Sequence, residues 1–229
     1  MRKNYILLIL FTLLFSAIIR SQDYYCKCAD NIEIEKQFDE KLSGRVFNGP
    51  FPGNSAQFYR EWISGDVILE NGSVVKDKYL RYNGYLDELL WARKPDYKTV
   101  NLDKNMVKGF VLHDKDQKLV FEKIPVKNFL VNDSTDIFME LLSSGNLTLY
   151  SRRQVHYIPS SRELYHKYAY FLYKDGNLQG FMLNRWGLLQ LFPDKKQKSK
   201  MRAVLRSNLL FVRKEKHLIR AIELYNRSL

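Results

Sequence analysis

The sequence predicts an α+β protein: an antiparallel β-rich body of about ten strands, folded as a sandwich or half-barrel, then a C-terminal subdomain of two to three short helices. Three observations predict it. Between residues 62 and 183, short apolar runs are separated by Asn71-Gly72, Asn83-Gly84, Ser144-Gly145 and Asp175-Gly176, pairs that turn a chain back on itself because they tolerate φ > 0. Aromatic residues make up 14% of the chain, with 15 Tyr and 14 Phe, and rings pack well on pleated surfaces. From Asn184 onward the apolar period becomes helical and the charge becomes one-sided. Twelve Lys and Arg against three acids in residues 184–229 give +9 of the chain's formal +12. Arg2, Lys3 and Arg20 supply the rest, so residues 22–183 are neutral.

Residues 1–21 read as a signal peptide. Arg2 and Lys3 precede an apolar run at 5–19 (YILLILFTLLFSAII), and Ser21 offers a small residue before a cut that leaves Gln22. Fifteen residues at about 1.5 Å each fall short of a bilayer core of roughly 30 Å. The mature chain is therefore not expected to be an integral membrane protein. Residues 22–61 read as an N-terminal arm and loop. Cys26 and Cys28 lack a lipobox, because Asp23-Tyr24-Tyr25 precedes them. A disulfide two residues apart would be strained. There is no second Cys pair and the four His are scattered, so no metal, no cofactor and no internal disulfide framework is expected. Residues 31–38 alternate, as an edge strand or a helix start would. The breaker cluster at 48–54 must be loop.

The body at 62–183 then unfolds as hairpins. Residues 66–70 and 73–82 flank Asn71-Gly72, and imperfect alternation around Val75, Asp77 and Tyr79 predicts a bulge near Lys78. Strands are expected at 87–92 and, after the Lys94-Pro95-Asp96 turn, at 99–102. Residues 107–113 and 118–124, 136–143 and 146–155, and 164–174 and 177–183 give three more pairs.

The runs GDVILENGSVVKDKYLRYNGYLDELL, VKGFVLHD, IFMELLSSGNLTLYSRR and the tail from LLQLFPDKKQKSK to the end resemble a family of small exported proteins from Bacteroidota with a β-rich body and a basic helical tail. The resemblance covers most of residues 62–229. Its motifs are structural (turn glycines, the Arg81-Tyr82-Asn83 strand end, the Phe192-Pro193-Asp194 break), so it implies a compartment and an architecture and carries over no functional residue.

In the tail, residues 184–229, Asn184 is a good N-cap for a helix at 185–192 whose apolar face holds Trp186, Leu188, Leu189, Leu191 and Phe192. Pro193 stops it and Asp194 caps the next, where Met201, Val204 and Leu205 form a stripe. Ser207-Asn208 closes that helix. A third, from about Arg213 to Asn226, buries Leu218, Ala221, Ile222 and Tyr225, with Glu223 placed to pair with Arg227. Each stripe needs a surface to cover it, so the helices dock and their charges face out.

That outer face nominates Lys195, Lys196, Lys198, Lys200, Arg202 and Arg206 as an anionic-surface binding site. Export points away from nucleic acid, and no nucleic-acid motif is present. An acidic envelope partner fits better: anionic glycan, lipid headgroups or acidic protein. Core packing, rather than a bilayer, is the expected fate of the third helix's stripe. No catalytic motif stands out: no Gly-x-Ser-x-Gly, no His-Glu-x-x-His, no phosphate-cradling loop. His113-Asp114-Lys115-Asp116 sits in an expected turn, where Asp serves the backbone. Asp87 and Glu88 would point to opposite faces of a strand. His156 and His166 flank Pro159 and are close enough in sequence to meet in space. The rings of Tyr165, Tyr168, Tyr170, Phe171 and Tyr173 divide between two faces, one of which must be core. Asp133-Ser134-Thr135 resembles an O-glycan acceptor. The reading is an exported, non-enzymatic interaction protein of the bacterial envelope, periplasmic, outer-membrane associated or secreted. The alternative is an envelope hydrolase whose site assembles only in three dimensions.

Overall fold

The computed structural model describes residues 41–47, 61–93, 98–115, 117–125, 136–158, 160–161 and 163–228, all within the compact unit Asp39–Leu229. The expected signal peptide, Cys26 and Cys28, the segments 31–38 and 48–54, the turn at 94–96, Asp116, Asp133-Ser134-Thr135 and Pro159 lie outside the described residues.

Eleven strands form one antiparallel sheet that does not close: β1 (Gly44–Val46), β2 (Ile63–Leu69), β3 (Val74–Asn83), β4 (Glu88–Arg93), β5 (Lys98–Leu102), β6 (Val107–Asp114), β7 (Gln117–Ile124), β8 (Ile137–Ser143), β9 (Thr148–Ile158), β10 (Glu163–Lys174) and β11 (Asn177–Phe181). Their order is β1-β5-β4-β3-β2-β6-β7-β8-β9-β10-β11. Gly72, Gly145 and Gly176 take the expected positive φ, whereas Asn83 ends β3 and that turn's positive φ falls on Asp87 instead of Gly84. Asp175 and Gly176 take φ +50° and +82° between the paired Lys174 and Asn177, the two positive values that suit a hairpin's twist. β1 is an unforeseen strand. Its three residues are exposed and show no alternation; pairing with the open edge of β5 makes the strand. The sheet thus begins inside the stretch expected to be an arm.

The sheet is strongly curled. β5 and β6 are separated by β4, β3 and β2, four spacings or about 19 Å in a flat sheet. Yet only residues 103–106 join them, closed by a hydrogen bond from Met106 N to Asp103 O at 3.1 Å. A turn spans less than half of that distance, so the strands must bend round. Part of the bend comes from the expected bulge. The β2–β3 register shifts between Gly65 and Val67, and Asp77 opposite takes φ +55°.

Inside the curl, Tyr82 of β3 reaches across to strands far from it in the sheet. Its ring lies 5.6, 5.1 and 6.4 Å from Phe110, Phe121 and Phe138. These rings join Val67, Leu80, Leu89, Trp91, Val100 and Leu112 in one core. The β3–β4 turn reaches further still. Val155 N of β9 donates to Gly84 O at 3.0 Å, and Phe138 N of β8 donates to the Asp87 carboxylate at 3.3 Å. β8 and β9 stop pairing beyond Ser151, and this turn satisfies backbone groups the gap exposes. Only glycine fits at 84, since a Cβ would stand 2.5 Å from Arg153 O.

A second core lies at the other end of the sheet, where Leu147, Leu149, Tyr170 and Leu172 meet three helices. These are α1 (Arg185–Gln190), α2 (Lys195–Ser207) and α3 (Glu215–Arg227). Both expected caps form: Asn184 accepts from Gly187 N at 2.7 Å and Asp194 from Gln197 N at 2.8 Å. Met201 and Leu205, and Leu218, Ala221, Ile222 and Tyr225, are all buried, so the stripes of α2 and α3 pack on protein. Glu223 pairs with Arg220 at 3.2 Å, one turn before it, instead of with the expected Arg227.

Candidate functional site

The helical subdomain is fastened to the sheet at both ends of α3. At its first turn, Glu215 accepts from Arg153 Nη1 at 2.7 Å, Arg153 Nη2 at 3.1 Å and Tyr170 Oη at 2.8 Å. Arg153 Nε donates to Glu140, and the guanidinium lies 4.5 Å from the Tyr168 ring centroid. Glu140, Ser151, Arg153, Tyr168 and Tyr170 share one sheet face through the β8–β9 and β9–β10 registers. Arg153 and Glu140 side chains are each only 6% exposed. Taking such ions out of water is costly, and arginine's planar fork, serving two carboxylates, is the compensation. Burial works against the Arg153 charge, but Glu215 and Glu140 outweigh it and hold the group protonated. Burial also pushes Glu215 up, but the Arg153 and Tyr170 hydrogen bonds outweigh it and its pKa falls below the ordinary carboxylate value. Glu140 goes the other way: burial raises it, with Arg153 opposing.

At the far end of α3, Asn226 stands in for a strand. Its Oδ1 accepts from Leu147 N at 2.9 Å, and its Nδ2 donates to Leu147 O at 2.9 Å and Ser144 O at 3.3 Å. Gly145 makes room, since a Cβ there would lie 2.5 Å from Asn226 Nδ2.

Held in this way, the subdomain presents a basic outer face. Lys195, Lys196, Arg202 and Arg206 are exposed on α2. Lys198 is half-buried. Lys200 is turned inward: its ammonium donates to Ser228 O and lies 5.7 Å from the Tyr225 ring centroid, so it caps the end of α3. Of the six nominated residues, four thus form the open face.

Beside them is a groove of about 720 Å³, lined by Asn184, Arg185 and Trp186 of α1 and its cap, Leu205 and Arg206 of α2, and residues 209–213 of the α2–α3 connector. Three arginines, 185, 206 and 213, edge it, and no acid or histidine lines it. The four most exposed large apolar side chains among the described residues gather here or next to it: Leu209 at 77%, Phe211 at 66%, and Met182 and Trp186 at 64%. Trp186 was expected to pack inward. In a helix of six residues only Gly187, Leu188 and Leu189 are buried, and residue 186 falls on the solvent side. Met182 is tied to the same corner, because Gly187 lets the Met182 carbonyl approach to where a Cβ would stand 2.5 Å away. His217 Nδ1 accepts from Phe211 N at 2.9 Å and so fixes the connector. No family model, curated protein or solved structure matches the chain. The resemblance to exported Bacteroidota proteins therefore rests on the sequence runs alone. Among the described residues no helix is long and apolar enough to cross a membrane.

The remaining candidates are dispersed. His113 does not gather its neighbours in sequence. Its Nε2 lies 3.3 Å from Asp66 Oδ2, and with Asp77 these residues bring three donor atoms within 4.8 Å of one another on β2, β3 and β6. Asp66 Oδ1 already accepts from Asp77 N at 3.1 Å, so the group braces the bulge. His156 pairs in register with Tyr165 and His166 with Val155, which puts the two histidines on opposite faces. His156 stacks on Tyr165 at 5.5 Å; burial, then Lys167 and Arg152, lower its pKa. Asp87 sits in the β3–β4 turn at φ +57°, before the strand expected to contain it. There it accepts from Tyr82 Oη at 2.6 Å and from Lys104 at 2.5 Å. Burial, with Asp87 adding to it, pushes the Tyr82 phenol well up. The β10 rings do not divide by face: Tyr170 is buried against Glu215, whereas Tyr168 on the same face is exposed, as are Tyr165 and Tyr173 on the other.

Proposed function

We propose that the chain is an exported, non-enzymatic interaction protein of the bacterial cell envelope, and that its C-terminal helical subdomain contacts an acidic partner. One observation carries the reading: Lys195, Lys196, Arg202 and Arg206 are exposed on α2, around and away from its buried Met201 and Leu205. α2 has no acid from Lys195 to Ser207, so its outer face attracts anions over roughly a Debye length. The neighbouring groove supports binding over catalysis, since it offers positive charge and apolar surface without an acid–base pair. The test is binding of the exported protein to heparin, anionic vesicles and polyglutamate between low and physiological salt. Binding to at least one of these should weaken with salt and weaken again in the triple reversal Lys195→Glu, Lys196→Glu, Arg202→Glu. Salt-independent binding, or none to any of the three, would refute the reading. Mass analysis of the same preparation should find an N-terminus at or within a few residues of Gln22, and an intact Met1 would overturn cleavage. The hydrolase alternative draws on the His113–Asp66 pair, and would be favoured by a hydrolysis lost in His113→Ala.

A further inference from the structure

The four exposed apolar side chains and the three arginines of the groove have a common explanation, which rests on the acidic-partner reading and deepens it. We propose that this corner is an interfacial anchor for an anionic lipid bilayer, with Trp186, Leu209, Phe211 and Met182 entering the headgroup–acyl boundary and Arg185, Arg206 and Arg213 meeting lipid phosphates.

The chemistry of the set selects a bilayer. Single exposed apolar residues are ordinary on a protein surface, but here the four most exposed ones share one corner. Three of them line the groove and all four are at least 64% exposed, an apolar patch of the kind that marks an interaction or membrane site. Trp is at home at the level of headgroups, where its ring is buried and its N–H stays wet. Arginine completes the pattern, because its stem covers apolar surface while its planar fork takes two phosphate oxygens. A glycan could stack on Trp186 and Phe211 but would leave the aliphatic Leu209 and Met182 uncovered.

The backbone supports an assigned role for Leu209. α2 ends in a Schellman motif: Leu210 N donates to Leu205 O at 3.0 Å and Leu209 N to Arg206 O at 3.2 Å. The motif puts its left-handed residue at 209, φ +50°, a position where glycine is the common choice. A branched leucine there is strained, and 77% exposure means that it gains little packing in return. Strain held at an exposed apolar tip marks a residue kept for what it touches. His217 and the Schellman bonds together fix Leu209 and Phe211 on one short connector, so the tip is ordered in advance of contact.

The expected third-helix stripe takes no part. Leu218, Ala221, Ile222 and Tyr225 are buried in the core, and the anchor is built from the connector and α1 instead.

The experiment uses the protein as its host exports it, so that the N-terminus is common to every arm. Vesicles of phosphatidylcholine alone, vesicles of phosphatidylcholine with phosphatidylglycerol, soluble heparin and polyglutamate are the probes. The expected result is co-sedimentation with the anionic vesicles and a blue shift in tryptophan emission that is absent in Trp186→Phe. The triple variant Trp186→Ser, Leu209→Ser, Phe211→Ser should lose about tenfold or more in partitioning to them. Arg185→Glu with Arg213→Glu should lose at least roughly fivefold per charge. All five positions lie at the surface, and a far-UV spectrum and melt like those of the parent show that the variants fold. If the apolar triple variant partitions like the parent, the anchor is wrong and only electrostatic contact survives. If heparin or polyglutamate binds and anionic vesicles do not, the lipid is wrong while the acidic-partner reading stands. If nothing binds, both fall.

Discussion

Arg153 is the residue on which the joint between body and helices turns. Its guanidinium serves Glu140 on β8 and Glu215 on α3 at once, and its side chain is 6% exposed. Removing it strands two carboxylates at a buried joint. The expected loss for Arg153→Met is about 3–5 kcal/mol at neutral pH, the range for breaking a buried pair from one side. The sign of the pH dependence follows from the two acids. Glu215 is lowered in the folded protein, so its contribution is present above the unfolded carboxylate pKa of about 4.3 and is lost as pH falls through the lower folded value. Glu140 is raised; its ionised form costs stability at neutral pH, and that cost is relieved as pH falls through the raised value. In Arg153→Met both acids lose their cation and take up protons at higher pH. The deficit should therefore be largest near pH 7 and shrink toward pH 4. Urea unfolding at the two pH values checks it, and a loss within 0.5 kcal/mol at pH 7 would contradict the role assigned to Arg153.

At the scale of elements, the α2–α3 connector sets stability against exposure. Leu209→Gly removes the left-handed strain at φ +50° with no buried contact to lose, so the protein should gain about 1 kcal/mol. The same change removes an anchoring side chain and should weaken partitioning to anionic vesicles. A thermal melt and a sedimentation assay on one preparation read both; a variant no more stable than the parent would show that Leu209 is unstrained. Sequence alone reaches the frame around this connector and stops there. Asn184, Asp194 and Ser207-Asn208 mark helix ends by local chemistry, and Asp175-Gly176 marks a hairpin, because caps and turns are decided within four residues. The Schellman bonds at 205–210 carry no such mark, since leucine occupies the position where glycine would announce them. Trp186 escapes sequence reading because apolar character does not say which side of a short helix meets protein. The Glu140–Arg153–Glu215 contact lies beyond local reading for a different reason. Its members are 13 and 62 residues apart, and they meet only through the β8–β9 register and the docking of α3. The nominated lysines were legible as a charge run, yet Lys200 turned inward because the end of α3, 28 residues on, needed a cation.

Across the whole molecule, three apolar clusters among the described residues are threaded by one sheet: a small one around Ile137, Met139 and Tyr150, and two larger ones. Trp91 lies in the core enclosed by the curl, whereas the helices cover Leu147, Leu149, Tyr170 and Leu172 at the other end. These could behave as independent modules, but the contacts argue otherwise. α3 is pinned by Glu215 to β9 and β10 and by Asn226 to the β8–β9 turn. The β3–β4 turn, part of the first core's wall, bonds Phe138 of β8 and Val155 of β9. β9 thus carries Arg153 for the helices and Val155 for the curl, two residues apart. Undocking the helices would strip Glu215 from Arg153 and Tyr170 and would expose four large apolar side chains of the sheet end. Either consequence costs a sizeable fraction of a marginal folding free energy. The expected behaviour is one cooperative transition, in which Trp91 emission, read in a Trp62→Phe, Trp186→Phe background, and the helical far-UV signal lose structure at the same denaturant concentration. Removing the Asn226 clamp with Asn226→Ala should shift both signals together. An earlier loss of the helical signal, with Trp91 still buried, would show that the basic subdomain comes away from the body as a separate unit.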